Sequence, residues 1–299
     1  MLQCLKCLAP IGNEAHYGLH PNCFRAWFEV DGLPKFTSLI LKQSSKGEEP
    51  SNDGRNSSFF HGQYKKYSAD LSGCPYILKV RQASAPELPE LEFLCNQIAE
   101  FIKLPVAQYY ILEMMGDKAF VTRNFIDRSG HASLSHIYTY FADGEARTCE
   151  NIIRVIDEQT HRFADVETFV MMCLFDSLIG NHDRHGRNLG IIVTPRGSRL
   201  APIYDNPSVV GIHSGDWLKA DIGFEGRIPT KASEHPTISH YVKEFIRLGY
   251  QEQIDLFRSR VKLERIEGLV SASFCSNLMK AAITKMIRKN YDELERTQS

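Results

Sequence analysis

Three oxygen-bearing side chains stand at spacings suited to phosphate chemistry. Asp183 and Asn188 frame D-x-x-x-x-N within GNHDRHGRN (residues 180–188), and Asp205 follows in IYDN (203–206). A carboxylate in such a loop can orient an attacking hydroxyl. A carboxamide and a second carboxylate can hold Mg²⁺, a hard ion that takes oxygen ligands and shares phosphate oxygens. Asp and Asn also gather in loops merely to cap helices and turns. That plainer reading needs neither the second Asp downstream nor the basic Arg184, His185 and Arg187 between. His182 reads as a loop residue only.

The flanking elements are built to hold such a loop. FADVETFVMMCLFDSLIG (163–180) reads as a core helix over 165–179. LGIIV is a short buried strand, Thr194-Pro-Arg-Gly-Ser a hairpin-length turn, and RLAPIYD the returning strand. A polar loop between a core helix and a hairpin is a favoured place for a site.

The D-x-x-x-x-N spacing and the following Asp are those of a protein-kinase catalytic loop and its metal-binding Asp. Upstream, YILKV (76–80) reads as a strand carrying Lys79. PELPELEFLCNQIAEFI (86–102) has apolar residues at Leu91, Leu94, Cys95, Ile98, Phe101 and Ile102, which is helical spacing, and it carries Glu92. A strand Lys paired with a helix Glu holds nucleotide phosphates in kinases. Alone, each would more often face water; their order upstream of the loop raises them. No G-x-G-x-x-G or Walker loop is present.

GNHDRHGRN followed by IYDN resembles the kinase domain of HipA-type toxins, whose pattern is G-N-x-D-x-H-x-x-N and then Y-D. The resemblance covers roughly residues 55–290 and implies an α+β, two-lobed, protein-kinase-like (HipA and phosphatidylinositol-kinase-like) fold. It implies a mixed N-lobe sheet, a mainly helical C-lobe, ATP and Mg²⁺ as cofactors, and serine/threonine kinase activity. By resemblance, Lys79 and Glu92 serve ATP, Asn188 and Asp205 hold Mg²⁺, Asp183 is catalytic, and His185 structures the loop or orients phosphate. SFFHGQYKK (58–66) takes the place of the family's S-x-x-G-x-Q-x-K phosphate loop. Gln63 and Lys65 match it, and Ser58, or its neighbour Ser57, falls on the autophosphorylated Ser. His61 stands where the family has its first Gly, with Gly62 one position later. The hinge that touches adenine corresponds to the stretch from Thr122 to Phe125. The region 208–236, with six Gly and Pro residues, corresponds to an activation segment.

Further expectations rest on the same resemblance. With residues 1–57 ahead of the phosphate loop, the chain resembles short HipT-type kinases. In these a small antitoxin protein replaces the N-terminal subdomain, and a DNA-binding antitoxin completes the system. Family substrates are aminoacyl-tRNA synthetases. A phosphate at Ser58 would add nearly two negative charges beside the γ-phosphate, so repulsion would eject the loop.

Residues 1–30 stand apart. CLKC and HPNC supply Cys4, Cys7, His20 and Cys23. A tight C-x₂-C presents two thiolates to one Zn²⁺, and H-x₂-C adds a second pair. Four protein ligands leave no open position, so the zinc would be structural; His16 is an alternative to His20. Reduced cysteines packed as small hydrophobes are the plainer reading. FRAWF (24–28) reads as an apolar helix. The sequence thus divides into a Cys/His segment (1–30), an N-lobe (31–127) and a C-lobe (128–299). Residues 43–57 read as a linker and 128–162 as polar with helical patches. SHYVKEFIRLGY (239–250), QEQIDLFRSRVKLERIEGLV (251–270) and SNLMKAAITKMIRKNYDEL (276–294) read as amphipathic helices.

Composition bounds the function. The 299 residues are 43% hydrophobic and 24% charged, an ordinary globular balance. A formal net charge of −1 offers no global basic field for nucleic acid or membrane. No apolar run approaches the roughly 20 residues that span a bilayer. The absence of a secretory pattern and the eight cysteines point to a reduced cytoplasmic setting. Two rivals remain. A lipid kinase would share DRHxxN and the metal Asp. A non-catalytic nucleotide-binding interaction module would not need Lys79, Asp183, Asn188 and Asp205 together.

Overall fold

The computed structural model describes residues 2–42, 66–126 and 131–297. The chain divides into two compact units, Met1–Phe93 with Ala107–Phe125, and Leu94–Val106 with Ile126–Ser299.

The first unit holds helix α1 (Pro21–Phe28), strands β1 (Thr37–Lys42), β2 (Lys66–Leu71), β3 (Cys74–Val80), β4 (Tyr109–Met114) and β5 (Asp117–Arg123), and the start of helix α2 (Leu88–Phe101). The strands form one sheet in the order β1-β2-β3-β5-β4. A mixed sheet is expected from the sequence, yet all four pairings are antiparallel. The turns explain two of them. Ser72-Gly73 and Met115-Gly116 have positive φ at both residues, the conformation that two-residue hairpins require.

The pleat of this sheet separates two sets of side chains. Cross-strand register aligns Leu78 with Val121 and Val121 with Tyr110, while Lys79 aligns with Phe120 and Phe120 with Ile111. Alternation then places Tyr76, Leu78, Tyr110 and Val121 on one face, and Ile77, Lys79, Ile111 and Phe120 on the other. On the first face, the Phe28 ring of α1 lies 5.6 Å from Tyr76 and 4.4 Å from Tyr110. On the second, Phe93 of α2 meets Tyr109 at 5.4 Å.

The second unit is built on helices α3 (Cys149–Thr160) and α4 (Phe163–Ile179), with α5 (Ile238–Arg247), α6 (Gln251–Arg260), α7 (Leu263–Ala272) and α8 (Asn277–Arg296). A small antiparallel sheet joins β6 (Ser133–His136), β7 (Gly190–Thr194) and β8 (Gly197–Leu200) in that order. Every residue of α4 from Phe169 to Ile179 is buried. A helix apolar all round is a core helix, as the sequence implies. The returning strand β8 ends at Leu200, and Ile203 makes only an isolated parallel bridge to Val106. β6 lies in the stretch read as polar with helical patches; its four residues, SLSH, carry no apolar alternation to betray it. The segment 251–270 is two helices rather than one, and neither Gly nor Pro marks the break at Val261-Lys262. Residues 207–236 form only short 3-10 turns, Val209–Ile212 and Gly215–Lys219, between irregular stretches.

Candidate active site

The loop that follows α4 is held from below by one buried cation. Gly180, in the left-handed region at φ 72°, ends α4 and turns the chain, its N–H donating to Asp176 and Ser177 carbonyls. Arg184 is 2% exposed, and its guanidinium meets acceptors on four residues. It donates to both oxygens of Asp176 at 2.8 and 3.0 Å, to the carbonyls of Asn188 at 2.9 Å and Tyr204 at 2.7 Å, and to the Asn206 amide oxygen at 2.5 Å. Asn181 donates to Asp176 at 2.8 Å and accepts the Asp183 N–H at 3.0 Å. Asn206 in turn donates to Asn96 at 3.1 Å. Burial pushes the Asp176 carboxyl up, against the pull of Arg184 and Asn181. Burial also opposes the charge on Arg184, but Asp176 outweighs it and holds that guanidinium above its usual range. The planar, five-donor fork suits such a hub as no ammonium could.

On this support sit the residues singled out by spacing. The Asn188 amide donates to the Asp183 carbonyl at 2.9 Å and approaches its carboxylate at 3.4 Å. The Asn188 backbone N–H donates to His185 at 2.8 Å, closing the turn. The Asp183 side chain is 45% exposed and lies 3.6 Å from His185 Nε2. Burial holds His185 below its ordinary pKa, although Asp183 and then Asp205 press the other way. Asp205 has φ 57°, a left-handed conformation that Asp tolerates better than most side chains. Asp183, Asn188 and Asp205 offer only oxygen donors, which fits Mg²⁺. Asp176, Arg184, Asn181 and Asn206 hold the loop and were not singled out as site residues. Their signal was a charge inside an apolar helix, Asp176, with an Arg in the loop to answer it.

In the first unit, Lys79 and Glu92 form a buried ion pair. Lys79 is 5% exposed and Glu92 fully buried, and the ammonium donates to both carboxylate oxygens at 2.5 and 2.6 Å. The ring of Phe120 lies 5.8 Å beneath the ammonium. Glu90, also in the first turns of α2, pairs with Arg81. Lys66 was not singled out, yet it stands directly opposite Lys79 on β2 and is 3% exposed. Asn124 leaves β5 with its N–H donated to Pro75 at 2.9 Å, and Phe125 beyond it is half-buried. Gln63, Lys65, Ser57 and Ser58 lie outside the described residues, as do His61 and Gly62.

The first unit also gathers Cys4, Cys7, His20 and Cys23, whose ligand atoms all lie within 4.8 Å of one another. His16 is not among them. It donates through Nε2 to Pro34 at 2.9 Å and packs edge-on against Phe24, which removes it as the alternative ligand.

The class that fold and site define is a kinase-like α+β protein. The Helicobacter pylori proinflammatory kinase CtkA shares the fold at a TM-score of 0.64 and 15% identity, over 78% of this chain and 92% of that one. HipA of the Shewanella oneidensis MR-1 toxin–antitoxin system, solved with HipB and its operator DNA, does so at 0.58 and 16%, over 84% of this chain and 67% of that one. No curated protein matches the chain in sequence. The model of the HipA-like C-terminal domain matches residues 57–271, and the chain belongs to that family.

Proposed function

We propose that the protein is an ATP- and Mg²⁺-dependent serine/threonine kinase of the HipA toxin type. The observation that carries this reading is the buried Lys79–Glu92 pair. It lies within the family match, upstream of a D-x-x-x-x-N loop held by Arg184. A charge pair removed from water is seldom worth more than apolar packing of the same shape, so its retention favours a working role. Lys79 holds the ATP phosphates, oriented by Glu92, and Lys66 places a second cation on the same face. Gln63 and Lys65 serve the phosphate loop, and the backbone near Phe125 receives adenine.

Mg²⁺, held by Asn188 and Asp205, supplies neutralisation of charge at the phosphoryl oxygens. Asp183 orients the substrate hydroxyl toward the γ-phosphorus and takes its proton. The new O–P bond forms as the bond to the β-phosphate oxygen breaks, and ADP leaves. Carboxylates are weak bases in neutral water, so alignment contributes more than proton abstraction. His185 orients Asp183 or a phosphate oxygen.

The finer reading is a toxin that phosphorylates an aminoacyl-tRNA synthetase in the cytoplasm and restrains itself by phosphorylating Ser58, or Ser57. The HipA neighbour in complex with HipB and operator DNA supports an antitoxin partner that binds DNA. No helix among the described residues is long and apolar enough to cross a membrane.

Intact-protein mass after incubation with ATP and Mg²⁺ tests the reading. Wild type should gain a phosphate, Asp183→Asn should not, and Ser58→Ala should lose or relocate it. ATP binding without phosphate on any version sinks the self-phosphorylating kinase and favours a lipid kinase or a non-catalytic module.

A further inference from the structure

We infer that Cys4, Cys7, His20 and Cys23 bind a structural Zn²⁺ whose task is to clamp residues 2–36 onto the sheet face opposite Lys79. This goes beyond the kinase reading and does not depend on it.

The ligand geometry supports the metal. Zn–S bonds of about 2.3 Å and Zn–N bonds of about 2.0 Å at tetrahedral angles imply ligand–ligand edges of roughly 3.5–3.8 Å. The Cys7 and Cys23 sulfurs lie 3.4 and 3.8 Å from His20 Nδ1. These are the edges of a metal site, and they leave His20 Nδ1 shared by two sulfurs. The outer nitrogen is already engaged, since His20 Nε2 donates to Pro10 at 2.9 Å. That fixes the tautomer with a lone pair on Nδ1, aimed at the sulfurs, as zinc-binding imidazoles commonly are. The His20 N–H also donates to the Cys4 sulfur at 3.5 Å, as amides do to thiolates in such turns. All four positions are filled by protein, so the site is structural rather than catalytic.

What the metal would hold is visible in the packing. The segment contains one helix of eight residues, far below the length that is stable alone in water. Its apolar residues form a small cluster, with Phe24 against Phe28 at 4.8 Å and Tyr17 against Phe36 at 5.5 Å, and that cluster continues onto the sheet. Phe28 lies tilted over Tyr110 and edge-on to Tyr76, Phe36 meets Tyr76 at 5.5 Å, and Trp27 meets Tyr110 at 5.6 Å. The segment also binds the edge of the sheet. β4 is the last strand, and the Glu113 N–H donates to the Tyr17 carbonyl at 3.0 Å. Gly18 beside it has φ 77°, and a Cβ there would fall 2.9 Å from Leu5 and 3.0 Å from the Glu113 side chain. The zinc segment therefore covers both an apolar face and an open edge of the sheet that carries Lys79 on its other side. An uncovered edge and face of this kind invite association with other chains.

The test uses full-length protein and readouts that need no ATP. Elemental analysis of the purified wild type should give about one zinc per chain. Cys7→Ser and Cys23→Ser should abolish it, while His16→Gln should retain it. Should the serine variants fail to fold, cobalt titration of chelator-treated wild type gives the same answer: a tetrahedral, thiolate-rich visible spectrum is expected. Hydrogen exchange in residues 109–123 should accelerate when the metal is stripped. In a Trp217→Phe background, Trp27 emission should shift to the red as its contact with Tyr110 opens. Absence of zinc with only an octahedral cobalt spectrum overturns the metal site, as does zinc kept by both serine variants. Zinc loss that leaves exchange and Trp27 emission unchanged overturns the clamp.

Discussion

The loop at 180–188 and the Cys/His segment at 4–23 are both short polar stretches that must hold chemical groups in fixed positions, and they do so in opposite ways. In the loop, the side chains proposed to work and the ones that support them are different residues. Asp183 is 45% exposed, whereas Arg184 and Asp176, which hold the backbone around it, are buried. In the N-terminal segment the same four side chains would be both ligand set and support. A loop of the first kind keeps its shape with its cofactor absent, because its scaffold is a charge network internal to the fold. A segment of the second kind depends on an ion from outside. The difference predicts that stability and activity separate cleanly in the loop and cannot separate in the Cys/His segment.

The largest effect should come from the loop's support. Arg184→Met leaves Asp176 charged and unpaired in the core and strips the Asn188 and Tyr204 carbonyls of a donor. Removing one partner of a buried pair costs about 3–5 kcal/mol. Denaturant unfolding should show this loss, with phosphorylation abolished as well. Adding Asp176→Leu should restore part of the stability and none of the activity. Equal destabilisation of the single and double variants would mean that the hub is not an electrostatic scaffold.

Asp183→Asn probes the other half of the comparison. The carboxylate is half-exposed and contributes only long contacts to Asn188 and His185, so the midpoint of unfolding should stay within about 0.5 kcal/mol of wild type. Turnover should fall by about 10²–10⁴, the usual contribution of a positioned acid–base group. A large stability loss would move Asp183 from working residue to support. Lys79 and Glu92 fall between these extremes, since they are buried like a scaffold and proposed to work on ATP. Glu92→Gln should cost about 1–3 kcal/mol through an under-satisfied ammonium, together with weaker nucleotide binding. Stability lost with nucleotide affinity intact would assign the pair to structure alone.

The residues proposed to work are easier to read in the sequence than their supports. D-x-x-x-x-N and the downstream Asp are local patterns, legible as spacing. The core helix α4 was equally plain, because eleven consecutive buried residues from Phe169 need an apolar sequence. In the sequence Arg184 reads only as one of several basic residues. Its partners Asp176, Tyr204 and Asn206 lie 8, 20 and 22 residues away, a distance over which no periodicity operates. No spacing marks Lys66, because only β-register places it opposite Lys79. The Cys/His cluster is legible as spacing, and H-x₂-C favours His20, but the final choice against His16 needs the fold. That choice depends on Pro34, which takes the His16 proton through a fold contact. Strand β6 was invisible because four residues without apolar alternation acquire their role only by pairing with β7.

The smallest effect concerns His182, beside Asp183 and apart from the Arg184 network. Its Nδ1 is buried without a hydrogen-bond partner, and its carbonyl accepts from Arg227 at 3.2 Å. Burial lowers its pKa, and Arg227 and His213 add to that, with Asp183 opposing. The unfolded chain then holds its imidazole proton up to a higher pH, near 6.5, than the folded one does. Where the unfolded state binds more protons, stability rises with pH. The contribution is therefore fully present above about 6.5 and is lost as pH falls from there through the folded value. His182→Asn should flatten the stability-versus-pH curve on that acidic side and leave the curve above neutrality parallel to wild type. A curve unchanged on the acidic side would mean that His182 is solvated in both states. A steeper one would mean that Asp183 outweighs burial, and the loop's exposed carboxylate would then belong to its support as well as to its chemistry.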